Sequence, residues 1–254
     1  MEFLFELPPY LSLSKVSSFI YMKPITSMST GAKILNDSIQ CLLIVSLLGI
    51  SLFGTAGKLS WYRAWIFLGV YGICYWSSTI LLFLKTPELM DERRKKHPGI
   101  KPWDKVLVLS YQLLYFPVFI IVGLSERFHW YRVSLWAICF GYILIFLAFL
   151  LMTWAPLVNK NLETYIRIQK ERDHQVCTSG PYNYIRHPAN LGLILLFLGI
   201  PVSLGSLWAL IPSLFAAFLI IVRTQLEDNF LFKELNGYAK YKENTRYRLL
   251  PGIW

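Results

Sequence analysis

Five long stretches without a charged residue constrain this chain more than any other feature. They cover residues 38–57, 64–84, 106–125, 133–159 and 187–222, with lengths of 20, 21, 20, 27 and 36 residues. A membrane-spanning helix needs about 20 consecutive apolar residues. Each of the first four stretches therefore predicts one membrane helix.

The composition agrees with a membrane location. Apolar residues make up 55% of the chain and charged residues only 16%, whereas soluble domains carry about 25% charged residues. The 16% aromatic content excludes a disordered chain. The four cysteines include no CxxC pair, which argues against a disulfide scaffold or a structural zinc site. We therefore predict an all-α integral membrane protein with about six transmembrane helices.

The fifth stretch is too long for one helix and short for two. Pro201 and Pro212 interrupt it, and residues 203–206 have the composition of a turn. The pattern predicts a Pro-broken helical hairpin with arms at 189–202 and 207–222. The first arm would be ~21 Å long, less than the ~30 Å of the hydrocarbon core, so both a full span and a re-entrant segment remain open.

Basic residues indicate the orientation of the bundle. If the two arms of the hairpin cross the membrane in opposite directions, 21 of the 25 lysines and arginines lie on the same side of the membrane. The positive-inside rule then predicts that both termini are cytoplasmic. Because the basic residues are spread over several loops, contact with membrane lipids is expected and a nucleic-acid partner is not.

Three regions follow from this topology. Residues 1–36 form an N-terminal cytoplasmic or membrane-surface segment, and residues 37–159 form a four-helix transmembrane bundle. Residues 160–254 contain a polar loop, the hairpin and a cytoplasmic helical tail. A short hairpin turn would place residues 174–190 beside residues 223–228, so we predict a pocket at the cytoplasmic interface.

The first of these segments has the features of an anion site. Pro188 suits the first turn of a helix, and the unpaired N–H groups at such a start attract anions. Arg186 and His187 precede it directly. An Arg-His pair at this place also occurs as a simple interfacial anchor, so both interpretations stay open. The spacing of the nearby histidines and cysteine matches no zinc pattern, and no metal site is predicted.

The second segment carries Arg223 and Glu227, four residues apart and therefore on one helix face. Charges at membrane depth are costly unless they are paired or functional. Asp228 is either a second acid or a solvated residue. We expect Tyr238 and Tyr241 to pack the tail onto the membrane surface, and the charged loop 88–105 to be a solvated face.

The last third of the chain resembles the isoprenylcysteine carboxyl methyltransferases and their phospholipid-methyltransferase relatives. The combination of GPYxxxRHP, a hairpin, RxxxE and YxxY carries the resemblance. The matching residues are Gln169, His174, Gln175, Val176, Gly180, Pro181, Tyr182, Arg186, His187, Pro188, Gly192, Arg223, Glu227, Gly237, Tyr238, Tyr241, Arg248 and Pro251.

The resemblance implies a methyltransferase that uses S-adenosylmethionine and a lipophilic acceptor, such as a prenylated cysteine, that enters from the bilayer. It also implies Glu227 as the acid that binds the donor and Arg223 as the arginine on the acceptor side. Asn190 stands where the family usually has tyrosine, and Asp228 where it often has glutamate. The residues implied to line the donor are Gln169, His174, Gln175, Val176, Cys177, Tyr182, His187, Pro188, Ala189 and Asn190.

The chemistry of the residues is compatible with this reading. The donor carboxylate would suit the N–H groups near Pro188 and Arg186, and its sulfonium would suit Glu227. A carboxylate acceptor is already ionised at pH 7 and needs no general base. The alternatives are a lipid amine or small thiol acceptor, a nicotinamide-dependent membrane reductase of related fold, and a membrane protein without enzymatic activity.

Overall fold

The computed structural model describes residues 30–254 except 96, 98, 131 and 132. Most of the expected N-terminal segment, residues 1–29, lies outside the described residues. Residues 30–36 already belong to the first helix. In the described part of the chain the regular structure is helical, which confirms the all-α class.

Nine α-helices follow one another in the described residues, with two short 3₁₀ helices at Lys170–Arg172 and Gly180–Asn183. The α-helices are α1 Thr30–Ala56, α2 Tyr62–Lys85, α3 Pro87–Arg93, α4 Pro102–Leu113, α5 Tyr115–Phe128, α6 Leu135–Val158, α7 Pro188–Leu204, α8 Leu210–Glu234 and α9 Tyr238–Asn244.

Five spans in the described residues are long and apolar enough to cross a membrane. They are α1, α2, the run of α4 and α5 together, α6 and α8. The predicted multi-pass membrane protein is therefore confirmed. The third span is divided at Leu114 because Pro117, in the first turn of α5, has no N–H to donate to a preceding carbonyl.

The predicted hairpin is confirmed, but the prolines do not break it. Pro201 lies inside α7, and Pro212 lies in the first turn of α8, where a missing N–H is tolerated. The turn covers residues 205–209 instead of 203–206. Gly205 ends α7 with φ 80°, a left-handed conformation that glycine adopts without a steric penalty. The first arm has 17 residues, or ~26 Å, and remains shorter than the hydrocarbon core.

Glycines allow α6 and α7 to approach each other closely. A Cβ atom added at Gly141 would lie 2.3 Å from the backbone nitrogen of Ser203, and one at Gly199 would lie 2.9 Å from the carbonyl oxygen of Gly141. Small residues at such contacts are typical of helices packed within membranes. On the outer surface large apolar side chains such as Leu135, Trp136 and Ile73 are exposed, as expected for a surface in contact with lipid.

The start of α1, helix α3 and the loop after α6 meet at one end of the bundle. Lys33 pairs with Asp91, and Arg94 pairs with Asp37. Arg93 donates to the carbonyl oxygen of Leu162 at 3.0 Å. The tail lies at this same end, where its backbone accepts hydrogen bonds from residues 186 and 187. That this end faces the cytoplasm stays a prediction.

Candidate active site

The loop before α7 and the end of α8 are in contact, as the hairpin predicts. The Nδ2 atom of Asn190 donates to Oε2 of Glu227 at 2.9 Å, and Nδ1 of His187 lies 3.7 Å from the same oxygen. One residue further along α8, Asp228 accepts from Nε of Arg186 at 2.7 Å. Residues more than 30 positions apart therefore form one polar cluster at the end of the bundle.

A cleft opens beside this cluster, with a volume of about 490 Å³ including the part open to solvent. Most of the residues predicted to bind the donor line it, although their binding roles remain predictions. Those lining residues are His174, Gln175, Val176, Cys177, Tyr182, Arg186, His187, Ala189, Asn190 and Glu227. Gln169, Pro188 and Arg223 lie behind its wall.

Gln169 supports the loop from within. Its Nε2 donates to the carbonyl oxygen of Asn161 at 2.6 Å, and its Oε1 accepts from Nη1 of Arg172 at 2.8 Å. The side chain is buried. Its hydrogen-bonding groups are therefore used to hold the loop in shape, while Pro188 occupies the first position of α7.

Arg186 is committed to contacts within the protein. Its Nε and Nη2 atoms donate to the two oxygens of Asp228, and its Nη1 donates to the carbonyl oxygens of residues 245 and 246, at 2.7 Å each. These bonds join the loop, α8 and the tail. They make Arg186 part of the wall of the cleft, and its predicted contact with an anion stays a prediction.

Asp228 is the centre of this network, a role that its sequence position does not indicate. The side chain is fully buried. Besides Arg186, it accepts from Nε of Arg248 at 3.0 Å and from the hydroxyl of Tyr238 at 2.9 Å, and Nε2 of His187 lies 3.3 Å away. Two arginines balance its charge, so the network fixes the tail over the end of α8.

The prediction that Tyr238 and Tyr241 pack on the membrane surface is wrong. Both are buried and line the cleft. The hydroxyl of Tyr241 donates to the carbonyl oxygen of Tyr182 at 2.8 Å. Burial, together with the negative charge of Asp228, raises the pKa of Tyr238, which therefore remains a neutral donor. The i, i+3 spacing was a correct sign that the two rings share a face, but the face is turned to the cleft.

Glu227 presents one carboxylate oxygen to this network and keeps the other available. Oε2 is held by Asn190 and by Nη1 of Arg223, at 3.4 Å. Oε1 accepts no hydrogen bond from the described residues. Since Glu227 lines the cleft, its second oxygen is suited to a cationic or hydrogen-bond-donating group there. The predicted helix pair of Arg223 and Glu227 is confirmed.

Arg223 is held by a residue that the sequence reading assigned to a solvated loop. Asp104, in the first turn of α4, is fully buried. Its Oδ1 accepts from Nε of Arg223 at 2.8 Å, and its Oδ2 accepts from the backbone nitrogen of Ile166 at 2.7 Å. Arg223 also donates to Oδ1 of Asn190 and to the carbonyl oxygen of Thr164. The expectation of a solvated face is therefore wrong for Asp104.

The same charged loop also contributes a network behind the site. Glu92, buried in α3, lies near His97 and Glu163, and their ligand atoms are all within 4.8 Å of one another. Nη2 of Arg167 lies 2.8 Å from Glu163 and 3.5 Å from Glu92. The guanidinium supplies the positive charge that this acidic group requires, so the network braces the loop that carries His174.

The titration of His174 is affected by its place in the cleft wall. Desolvation by burial lowers its pKa, with smaller opposing effects from nearby charges. The imidazole is therefore neutral near pH 7. Its Nδ1 is 3.4 Å from the backbone nitrogen of Gln169 and accepts from it, which leaves the ring as a neutral hydrogen-bonding group at the edge of the cleft.

Comparison with protein families assigns a class to this arrangement. Residues 136–236 match the family model described as phospholipid methyltransferase. The matched segment covers nearly all of α6 together with α7, α8 and the loop beside the cleft, and the match indicates a membrane methyltransferase. These residues are therefore similar to the phospholipid methyltransferase family, which includes the isoprenylcysteine methyltransferases. No curated protein matches the chain.

Proposed function

We propose that the cleft binds S-adenosylmethionine and that the enzyme methylates a carboxylate on a lipophilic acceptor, such as a prenylated cysteine. The observation that carries this proposal is the position of Glu227. Its carboxylate borders the cleft between the start of α7 and the buried Arg223. An acid for a cationic donor and a guanidinium for an anionic acceptor thus lie within 3.4 Å of each other.

The cleft has the polarity that this donor requires. Its wall combines the charged Glu227 with apolar side chains such as Val176 and Leu231, a mixture that is common at small-molecule sites. The first N–H groups of α7 have no partner within their own helix, so they can receive the donor carboxylate. Glu227 lies near this end with Oε1 available, which suits a positively charged group.

Arg223 is suited to orienting an acceptor anion. Its Nη2 donates to Thr164, and the second N–H of that nitrogen has no acceptor among the described residues. Asp104 and Asn190 hold the rest of the guanidinium. An acceptor carboxylate would therefore meet a fixed donor instead of a mobile side chain.

S-adenosylmethionine would supply the methyl group, with the acceptor oxygen forming the new C–O bond while the C–S electron pair remains on sulfur. An acceptor carboxylate is ionised at pH 7, so this route asks the protein for no proton transfer. The task of the residues is placement and exclusion of water. Correct placement of two reactants supplies roughly 7–11 kcal/mol of the barrier.

A lipid amine is the second candidate acceptor, and the name of the matched family favours it. An ammonium group must lose a proton before it can accept a methyl group. His187 lies between Glu227 and Asp228 and would be the group to take that proton. The two candidates therefore differ in whether His187 is required for turnover.

A radiolabelled methyl-transfer assay on the purified, full chain in detergent tests the proposal. The acceptors are N-acetyl-S-farnesylcysteine and phosphatidylethanolamine, and donor binding is compared with NADPH binding. We expect an alkali-labile product from the farnesylcysteine acceptor. A stable product from the lipid would instead support the amine, and binding of NADPH without S-adenosylmethionine would support a reductase.

The variant Glu227→Gln tests the donor site, with Glu234→Gln as its matched control. Glu234 ends the same helix and is exposed. Loss of one contact to a charged group is worth about 1.5–3 kcal/mol, so donor affinity should fall about tenfold or more. The control should bind normally. Unchanged affinity in Glu227→Gln would remove the basis of the proposal.

A further inference from the structure

A second cavity lies at the other end of the bundle. It opens where α2 begins, where α5 ends and where the hairpin turns. This place is about 36 Å along the 24-residue α2 from the end that joins α3. Its volume is about 720 Å³, including space open to solvent. The lining residues are Trp61, Tyr62, Arg63, Val122, Ser125, Glu126, His129, Leu204 and Gly205.

One wall of this cavity contains a buried donor without a partner. Trp61 is only 3% exposed, and its Nε1 has no hydrogen-bond partner in the part of the chain that the structure describes. An indole N–H can only donate. Buried donors are nearly always satisfied by protein or another group. Nε1 itself is closed off from the open space of the cavity, so the indole ring must turn before an acceptor atom there can satisfy it.

The charges around the cavity favour an anion. Glu126 is already paired with Lys58, whose Nζ lies 2.7 Å away. Arg63 has no ion pair among the described residues, and its one side-chain hydrogen bond there is a long contact of 3.4 Å to the hydroxyl of Tyr62. The cavity thus combines an unneutralised guanidinium with an unsatisfied N–H group.

The surroundings place the cavity at the depth of lipid headgroups. Tyr62, Trp65, Trp130 and Trp208 are exposed around this end of the bundle. The rings of Trp130 and Trp208 meet edge to face at 6.4 Å. Exposed Trp and Tyr residues at the end of membrane spans form aromatic belts at the level of the headgroups. The anion that reaches this cavity most readily is therefore the phosphate of a membrane lipid.

We propose that this cavity binds the phosphate of a glycerophospholipid headgroup through Arg63 and Trp61. Guanidinium groups bind phosphate by charge-assisted, often bidentate hydrogen bonds. The indole N–H would add a neutral donor from the buried wall. This site is separate from the catalytic cleft, so it does not depend on the identity of the methyl acceptor.

Titration of the purified full chain with dioleoylphosphatidylethanolamine, followed by native mass spectrometry, tests the site. We expect one retained lipid. The variant Arg63→Gln should weaken its binding about tenfold or more, since a hydrogen bond to a charged group is lost. Trp61→Phe should weaken it about threefold or more, since it removes only the N–H group. Trp130→Phe and Lys240→Gln, both at exposed positions, should bind as the parent does.

Two further ligands distinguish the sources of binding. Dioleoylglycerol has the same chains without the phosphate, and equal retention of it would overturn the proposal. If inorganic phosphate at millimolar concentration displaced the lipid and bound alone, the site would be one for free phosphate and the assignment to lipid would be wrong. Equal lipid retention in the two variants and their controls would show that neither Arg63 nor Trp61 holds the lipid, and would overturn the proposal. Unchanged elution in gel filtration verifies that each variant is folded.

Discussion

Asp104 offers the sharpest test of how the site is built. The change Asp104→Asn keeps the size of the side chain but removes the charge that faces Arg223. The carboxylate uses one oxygen for Nε of Arg223 and the other for the backbone nitrogen of Ile166. An amide can accept only one of these two bonds. The variant must therefore release either the arginine or the loop.

The expected size of the effect follows from the burial of this pair. Removing one partner of a buried ion pair costs about 3–5 kcal/mol. Arg223 keeps Glu227 at 3.4 Å, so the lower part of that range applies to stability. A displacement of about 1 Å at a reacting group can reduce a rate by about 100-fold. We therefore expect turnover to fall about 100-fold.

Donor binding separates this mechanism from simple misfolding. Glu227 keeps its hydrogen bond from Asn190, a bond in which Asp104 takes no part, so the dissociation constant for S-adenosylmethionine should change by less than about twofold. Calorimetry in detergent measures this constant, and the radiolabelled assay measures turnover. Asp91→Asn is the control, because it removes a partly exposed partner of Lys33 and should cost at most about 1 kcal/mol.

Two results would refute this reasoning. Normal turnover in Asp104→Asn would mean that Arg223 does not need its buried partner. A parallel loss of donor binding and turnover would mean that Asp104 shapes the donor cleft, so that its effect does not pass through Arg223 alone.

Three other predictions concern stability in detergent. Asp228→Ala should lower the free energy of unfolding by about 3–5 kcal/mol, because Arg186 becomes a buried charge without its carboxylate. A loss below about 1 kcal/mol in chemical denaturation would contradict the stabilising role of the bonds to Asp228. The pKa of His174 is lower in the folded protein than in the unfolded chain, so the unfolded chain binds the proton more readily. Stability should therefore decrease as the pH falls below 6.5 towards the pKa of the folded state. In thermal unfolding between pH 5 and 7.5, the unfolding temperature of His174→Gln should change less with pH than that of the parent. Gly141→Ala should cost about 1–3 kcal/mol through overpacking, whereas Gly69→Ala, where the added carbon meets no atom within 4 Å, should be neutral or stabilising in the same scan.

The membrane helices and the hairpin could be predicted because their signals are local. Each span is a continuous stretch without charge, and the short turn between α7 and α8 requires their ends to meet. The contact between residues near His187 and Glu227 followed from this topology. The proline positions were less informative, because Pro201 is accommodated within α7 and Pro212 lies where a helix needs no N–H.

The buried contacts that hold the site residues in place could not be predicted from local signals. The bond between Asp104 and Arg223 joins residues 119 positions apart, and no periodic pattern connects them. An aspartate in the first turn of a helix is usually explained by the helix dipole. The sequence left the role of Asp228 open and led to a wrong position for Tyr238, because both roles depend on how the tail folds back over α8.

The position of Asp104 has a consequence for how the domain can be transplanted. The matched family segment begins at residue 136, whereas Asp104 lies in α4. A chimera that grafts residues 136–236 onto foreign membrane helices would carry Arg223 without its buried counterion. Such a graft should regain a rigid guanidinium only if the host helix next to α8 also provides a carboxylate at the same depth.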